Sequence, residues 1–495
     1  MAARATIRFL LGHEPRSLSG LDPTMTVLDY LRRVERRCGS KEGCAEGDCG
    51  ACTVVLGELN GQGPEAGLRY HAVNACIVFL PMLDGKQLLS VEDLKRPDGA
   101  LHPVQQAMVE THASQCGYCT PGFVMTLFAL YRAGTRPTRA GINDALAGNL
   151  CRCTGYGPIV AAAERALEQA PRDHMAKGEA AVIAQLQAWR DDDAMLAFEL
   201  AGRRCFAPRS SDALAELVIE HPDAVLVAGA TDVGLWVTKL HRSLQTVILL
   251  GGVAELRRIE TRDEAIEIGA GVTYGEAAPI LVHPFPDMGE LFRRFGGWQV
   301  RNLATVGGNV ANGSPVGDGP PALIAAGAEL VLRRGQERRT LHLEDFFLAY
   351  GKQDRRPGEF VETIVVPLPR AGDRFGCYKL SKRFDQDISA VCGAFRLRRE
   401  GGRVADIRIA FGGMAATPKR AAAAEAALVG APWSEVSVRR AMTALAGDFQ
   451  PISDLRAGRD YRALAAGNLL YRFFLETGDS GIATRLAGVA ELARA

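Results

Sequence analysis

Three cysteines packed into nine positions, Cys44, Cys49 and Cys52, leave this stretch of chain few ways to fold. They stand in Lys41-Glu42-Gly43-Cys44-Ala45-Glu46-Gly47-Asp48-Cys49-Gly50-Ala51-Cys52, and Cys76 follows at a distance. C-x4-C-x2-C with one remote cysteine is the spacing of a plant-type [2Fe–2S] site. A loop wrapping an anionic iron–sulfur core needs positive φ and close backbone approach, which Gly43, Gly47 and Gly50 allow. The N–H groups freed in this way can point at sulfur and stabilise its charge. Zinc draws its ligands more often from two separated pairs, so the crowding favours iron.

A second set begins at Ser114-Gln115-Cys116-Gly117-Tyr118-Cys119-Thr120-Pro121 and closes with Cys151-Arg152-Cys153-Thr154-Gly155-Tyr156-Gly157-Pro158. Pro121 and Pro158 suit first helical positions, so each cysteine pair sits at a helix start, where an anionic cluster is favoured. C-x2-C with C-x-C also suits zinc. The company of the first motif tips the reading to a second [2Fe–2S] cluster. Nine of the twelve cysteines lie in the first third, at 38, 44, 49, 52, 76, 116, 119, 151 and 153. Such spacing reads as metal ligation in a reducing compartment, hence the cytoplasm. Cys38, Cys205, Cys377 and Cys392 fit no ligand pattern and read as buried small hydrophobes.

The 495 residues allow roughly three domains with ample cores. A net charge of +1 gives no reason to invoke nucleic acid or an anionic membrane. No apolar run approaches the ~18 residues of a membrane span. The opening, through Ile7–Leu11, is too short in its apolar part for a signal peptide and reads as a strand. The pattern gives an α+β multidomain chain. A small ferredoxin-like β-grasp domain takes residues 1–90, with strands at Ile7–Leu11, Cys52–Leu56 and Ala75–Leu80 and a Thr-capped helix over Thr26–Val34. A helical second-cluster domain of two helix pairs takes 91–168, and a polar linker with some helix takes 169–195.

From 196 to 375, Ala224–Ala228 reads as a buried strand running into Gly229-Ala230-Thr231-Asp232 and a helix from Val233. Strand, small-residue turn and helix can cradle a diphosphate through backbone N–H groups. No G-x-G-x-x-G fingerprint accompanies it. Ala304–Pro321 is a long run of small and polar residues leading into the apolar helix 322–328. A surface loop is one reading. Backbone kept bare for a ligand is the other, with Asp318 accepting from a sugar or ribityl hydroxyl. Residues 376–495 read as a small α+β domain, strands first and alanine-rich helices after.

The two cysteine sets in this order, then Gly229-Ala230-Thr231-Asp232, then Thr305–Pro321, resemble the xanthine dehydrogenase branch of the molybdenum hydroxylases. The match is to the small iron–sulfur/FAD subunit of the bacterial two-subunit enzymes, and it extends through Lys379–Val391. The resemblance implies one cluster on Cys44, Cys49, Cys52 and Cys76 and another on Cys116, Cys119, Cys151 and Cys153. Gln115 matches a glutamine that faces the pterin of the molybdenum cofactor. FAD would lie along Leu226, Val227, Ala228, Gly229, Ala230, Thr231, Asp232 and Val233, and along Thr305, Val306, Gly307, Gly308 and Asn309. Asp318 falls on the ribityl side, Lys379 matches another FAD contact, and Phe295 and Val361 match positions flanking adenine. Ala230 departs from the family's frequent asparagine, so backbone contacts must serve there. Leu380–Ala390 resembles the loop that governs NAD access.

No catalytic residue of the molybdenum chemistry is expected here, because no part of the chain after 375 is long enough for a molybdenum domain. The resemblance implies a large molybdenum-cofactor-binding partner, a (small–large)2 heterotetramer, and electrons passing from hypoxanthine or xanthine through both clusters to FAD and NAD+. A flavin bridges one-electron clusters and a two-electron acceptor. The competing readings are the equivalent subunit of an aldehyde, CoA-thioester or nicotinate hydroxylase, one serving oxygen or quinone, and a zinc-stabilised scaffold.

Overall fold

The computed structural model describes residues 3–61, 66–168, 173–192, 194–478, 481, 482 and 484. The first domain is a five-stranded mixed sheet in the order Glu14–Leu18, Ile7–Leu11, Gln87–Leu89, Thr53–Asn60, Gly67–Asn74. Ile7–Leu11 pairs parallel with Gln87–Leu89, the crossover of a β-grasp. Thr26 caps the short helix Val27–Asp29, which continues as a π-turn to Val34. The strand expected over Ala75–Leu80 is not there. The strand is Gly67–Asn74, and Cys76 lies in the turn that follows it. Residues 75–80 are all buried, and a continuous apolar run does not distinguish a strand from an enclosed turn.

Four helices, Pro103–Glu110, Thr120–Arg132, Arg139–Leu146 and Gly157–Leu167, enclose a core built on Phe123, Phe128 and Ile159. Of the expected linker, residues 169–172 and 193 lie outside the described residues. Its helix Glu179–Asp191 is docked, not loose. Val182 and Leu186 bury against Leu10, and Arg132 grips Asp173 (3.0 Å) and Glu179 (2.6 Å).

Among its described residues the third domain has two five-stranded sheets and a short ribbon of Phe347–Ala349 with Lys352–Gln353. In the first, Arg203–Ala207, Thr246–Leu249 and Val225–Val227 run parallel, and Met195–Leu200 is antiparallel beside them. The outer edge of Met195–Leu200 is covered by Ala3–Arg4, paired in parallel from the other end of the sequence. The second sheet is antiparallel, Ile259–Thr261, Ala265–Gly269, Phe360–Pro367, Glu329–Arg334, Glu337–His342. The small-residue run 304–321 is not one loop. Thr305 caps a helix over Val306–Asn312, and a second, Gly319–Ala326, is buried on every side. The last domain is an antiparallel sheet from Arg374–Leu380 to Lys419–Arg420, backed by the helices Ala422–Leu428, Glu435–Asp448 and Arg459–Thr477.

None of the twelve cysteines is in a disulfide, and Cys205, Cys377 and Cys392 are buried as expected. Cys38 is exposed, because it stands in the open stretch between the π-turn and the cysteine loop. No described helix is long and apolar enough to cross a membrane.

Candidate functional site

The loop from Gly43 to Cys52 closes around the Cys44 thiol. Ala45, Gly47 and Gly50 take left-handed backbone at φ 55°, 80° and 69°. The turn this makes aims the N–H groups of Glu46 (3.4 Å), Asp48 (3.4 Å) and Cys49 (3.3 Å) at Cys44 Sγ. Cys44 and Cys49 meet as one hydrogen-bonded pair. Cys52 and Cys76 form the other, their sulfurs 3.3 Å apart. The Cys49 contact, helped by backbone N–H groups, brings Cys44 down to about 5, and the same contact drives Cys49 up. Cys52 and Cys76 split the same way.

The second set repeats this pairing. Cys116 faces Cys153 and Cys119 faces Cys151. Burial, then the neighbouring Cys151, pushes Cys119 up to about 12. Cys151 Sγ accepts from the N–H (3.4 Å) and hydroxyl (3.1 Å) of Thr154. Cys116 and Cys153 face solvent, as does Gln115.

Eight thiols thus gather in two groups of four, each resolved into two pairs. Tetrahedral zinc takes its ligands around one point, whereas these thiols meet in pairs. Two irons, each taking one cysteine pair, fit thiols that come two by two and crowd too closely to ionise without a cation between them.

The two groups touch through backbone. Leu150 N–H donates to the Cys49 carbonyl (3.0 Å), joining the residue before Cys151 directly to a residue of the first set. The Asn149 amide donates to the Gly50 carbonyl (3.1 Å), and the Tyr118 hydroxyl reaches the Glu42 carbonyl.

The third loop docks on the first. After Val225–Val227 the chain turns through Ala228–Asp232, with Ala230 at φ 59°, into the helix Val233–Thr238. Thr238 Oγ1 donates to the Ala45 carbonyl (2.7 Å), Lys239 pairs with Glu46 (3.5 Å), and Gly234 lies against Ile77. Among the described residues, the N–H groups of Gly229, Ala230, Thr231 and Asp232 have no hydrogen-bond partner, although Gly229 and Ala230 are buried. Four consecutive orphan donors form a cradle for an anion, and a diphosphate satisfies them.

Beside this loop runs Thr305–Asn312, with Gly308 facing Ala228 and Asn312 facing Asp232. Asn309 accepts from the Tyr274 hydroxyl (2.9 Å), and the Tyr274 ring lies on Phe295 with centroids 4.3 Å apart. Val361 is enclosed in the same core, opposite Leu332. Asp318 and Lys379 are a buried ion pair at 2.5 Å, and Ser389 bonds to both.

The bare backbone has a second cause that sequence reasoning missed. A Cβ on Gly229 would run into the Leu303 carbonyl, and one on Gly307 into Ala270, so protein packing itself demands those glycines. Behind the loop, between the first and third domains, lies a cavity of about 130 Å³. It takes in Ala228, Gly229 and Thr305 but not Asn309, Asp318 or Lys379. Thr238, Leu150 and Asn149 were not singled out from sequence. A hydroxyl or amide that serves another loop leaves no local pattern.

Four family models tile the chain in order: "2Fe-2S iron-sulfur cluster binding domain" over 12–80, "[2Fe-2S] binding domain" over 90–164, "FAD binding domain in molybdopterin dehydrogenase" over 197–369, and "CO dehydrogenase flavoprotein C-terminal domain" over 376–477. Among curated proteins it is similar to xanthine dehydrogenase of Emericella nidulans, 32% identical over 95% of this chain and 38% of that one. Xanthine dehydrogenase/oxidase of Gallus gallus is 29% identical over 92% of this chain and 39% of its own length. The chain therefore spans under two fifths of these relatives. Among solved structures it is similar to a chain of carbon monoxide dehydrogenase from Hydrogenophaga pseudoflava, 32% identical with a TM-score of 0.51. That match covers 54% of this chain and 94% of the other.

Proposed function

The chain belongs to the molybdenum hydroxylase family as its iron–sulfur/flavin electron-transfer module, and on that premise we propose that it is the corresponding subunit of an NAD+-dependent xanthine dehydrogenase. Electrons would enter from a molybdenum centre on a large partner subunit that oxidises hypoxanthine and xanthine to urate. In this reading two copies of each subunit assemble, in the cytoplasm, where reducing conditions keep the eight ligand thiols free.

When bound, the clusters would exchange single electrons and FAD would collect two for hydride transfer. Cys44 with Cys49 and Cys52 with Cys76 would hold the two irons of one cluster, and Cys116 with Cys153 and Cys119 with Cys151 those of the other. The N–H groups of Glu46, Asp48 and Cys49 stabilise negative charge on sulfur, which tunes potential. The orphan N–H groups of 229–232 and the loop 305–309 would hold FAD. Lys379, Asp318 and Ser389 would brace its ribityl side, with Phe295 and Val361 near adenine. Arg383, 3.7 Å from Asp48, ties the 380–390 loop to the first cysteine loop.

The observation that carries this reading is the continuous contact of three loops: Cys151 to Cys49 through the Leu150 N–H, and Ala45 to the flavin-side helix through Thr238. The purine assignment is supported by a relative named xanthine dehydrogenase that matches 95% of the chain and one named xanthine dehydrogenase/oxidase that matches 92%. The test is to purify the chain with its co-purifying partner, assay molybdenum, and add xanthine with NAD+. Urate and NADH in equal amounts are expected. Urate made only with oxygen or a quinone removes NAD+ from the proposal. A complex that turns over an aldehyde or CoA thioester but no purine overturns the substrate.

A further inference from the structure

Gln299 stands on the short helix Trp298–Arg301 of the flavin-side domain and is wholly buried. Its amide nitrogen donates to Asn149 Oδ1 (2.8 Å) and Thr126 Oγ1 (2.9 Å), with Thr53 Oγ1 at 3.4 Å. These partners belong to the other two domains. Thr53 follows Cys52, Thr126 lies on the helix that begins after Cys119, and Asn149 precedes Leu150 and Cys151.

The partners also bind each other. Thr126 Oγ1 lies 2.7 Å from Asn149 Oδ1, the Asn149 amide donates to the Gly50 carbonyl (3.1 Å), and Thr53 Oγ1 donates to that same carbonyl (2.6 Å). One buried amide therefore closes a polar knot at the place where the two cysteine loops and the flavin-side domain meet. Gln299 Oε1 has no hydrogen-bond partner and rests against Gly148, where a Cβ would collide with it.

We propose that Gln299 is a positioning residue for electron transfer between the two iron–sulfur centres. By pinning Asn149 and Thr53 it fixes the Leu150 N–H on the Cys49 carbonyl, and with it the separation and coupling of the centres. This rests on the two-cluster reading, so iron content and both paramagnetic signals are measured first on the unaltered protein. A preparation lacking about four irons per chain defeats that reading itself, not the role of Gln299.

The experiment replaces Gln299→Leu, which keeps the bulk and removes the donors, and separately Thr126→Val, a milder loss from the same knot. Both are read in the holoprotein by the magnetic interaction between the two reduced clusters at low temperature and by the rate of electron equilibration between them. With iron content and both signals intact, the expected result is a changed or lost splitting and slower equilibration, larger for Gln299→Leu. Gln299→Glu, which keeps the shape, should recover the splitting at acid pH, where the protonated carboxyl donates, and lose it at alkaline pH. Unchanged splitting and rate in a fully loaded variant overturn the proposal. If Gln299→Leu does not load iron, Thr126→Val decides by the same readouts.

Discussion

Gly122→Ala sets two physical effects against each other. Gly122 lies in the first turn of the helix Thr120–Arg132. In an isolated helix, alanine is better than glycine by about 1 kcal/mol. Here a Cβ would enter the first cysteine loop, directly on the Gly50 carbonyl oxygen, with the Gly50 carbonyl carbon at 3.1 Å and Ala51 Cα at 3.2 Å. Gly50 cannot turn aside, because its own Cβ position is filled by the Gly148 carbonyl and its φ is +69°. Backbone faces backbone, so no side chain can swing away, and the helix must retreat by roughly 1 Å to restore contact distance. With backbone against backbone, overpacking falls in the upper part of its usual range, about 2–3 kcal/mol, which against the propensity gain leaves a net loss on the order of 1–2 kcal/mol. The assay is the urea midpoint for loss of visible iron–sulfur absorption in wild type and variant. A lower midpoint is expected. A midpoint equal to or above wild type would show that the helix and loop do not meet as described, and the reasoning from close approach would fall.

Further outcomes follow from the same geometry. Cys49→Ser should abolish one low-temperature paramagnetic signal and Cys151→Ser the other, and survival of both would refute the ligand assignment. Lys379→Met leaves Asp318 buried with only Ser389 for a partner, and is expected to cost on the order of 3 kcal/mol and to release flavin; pairing it with Asp318→Leu should recover most of the unfolding midpoint. Burial raises the Glu58 carboxyl, but Lys86, Arg257 and His71 together pull it well below the ordinary range. Its contribution is therefore present above the unfolded carboxylate value of about 4.3 and lost as pH falls through the lower folded value. Acid titration followed by tertiary circular dichroism should show that loss, and Glu58→Gln should flatten part of the slope; an identical slope in the variant excludes Glu58 as a contributor.

The cysteine chemistry was readable because ligand spacing is local, and the structure gathers the eight thiols into two sets of four. The pairing within each set was not readable, since it depends on how Cys76 and Cys151–Cys153 return from elsewhere in the chain. Gly229-Ala230-Thr231-Asp232 was readable as strand, turn and helix, yet the cause of its bareness lay in the Leu303 carbonyl, a partner invisible to any window of sequence. The Ala75–Leu80 strand failed because complete burial erases the alternation by which strands are recognised. Asp318 looked like a free acceptor until Lys379 and Ser389 were found beside it. Gln299 carried no signal at all, its whole meaning residing in three partners from other domains.

Ala3–Arg4 shields the edge of Met195–Leu200, so a purification handle joined directly to these residues would disturb the flavin-side sheet and not the iron-binding loop nearest in sequence. The same stitch sets an order of assembly: on the ribosome, that edge strand must wait until residue 195 emerges before it has a neighbour to join. An excised fragment ending near residue 90 would carry two residues shaped for a sheet it no longer possesses.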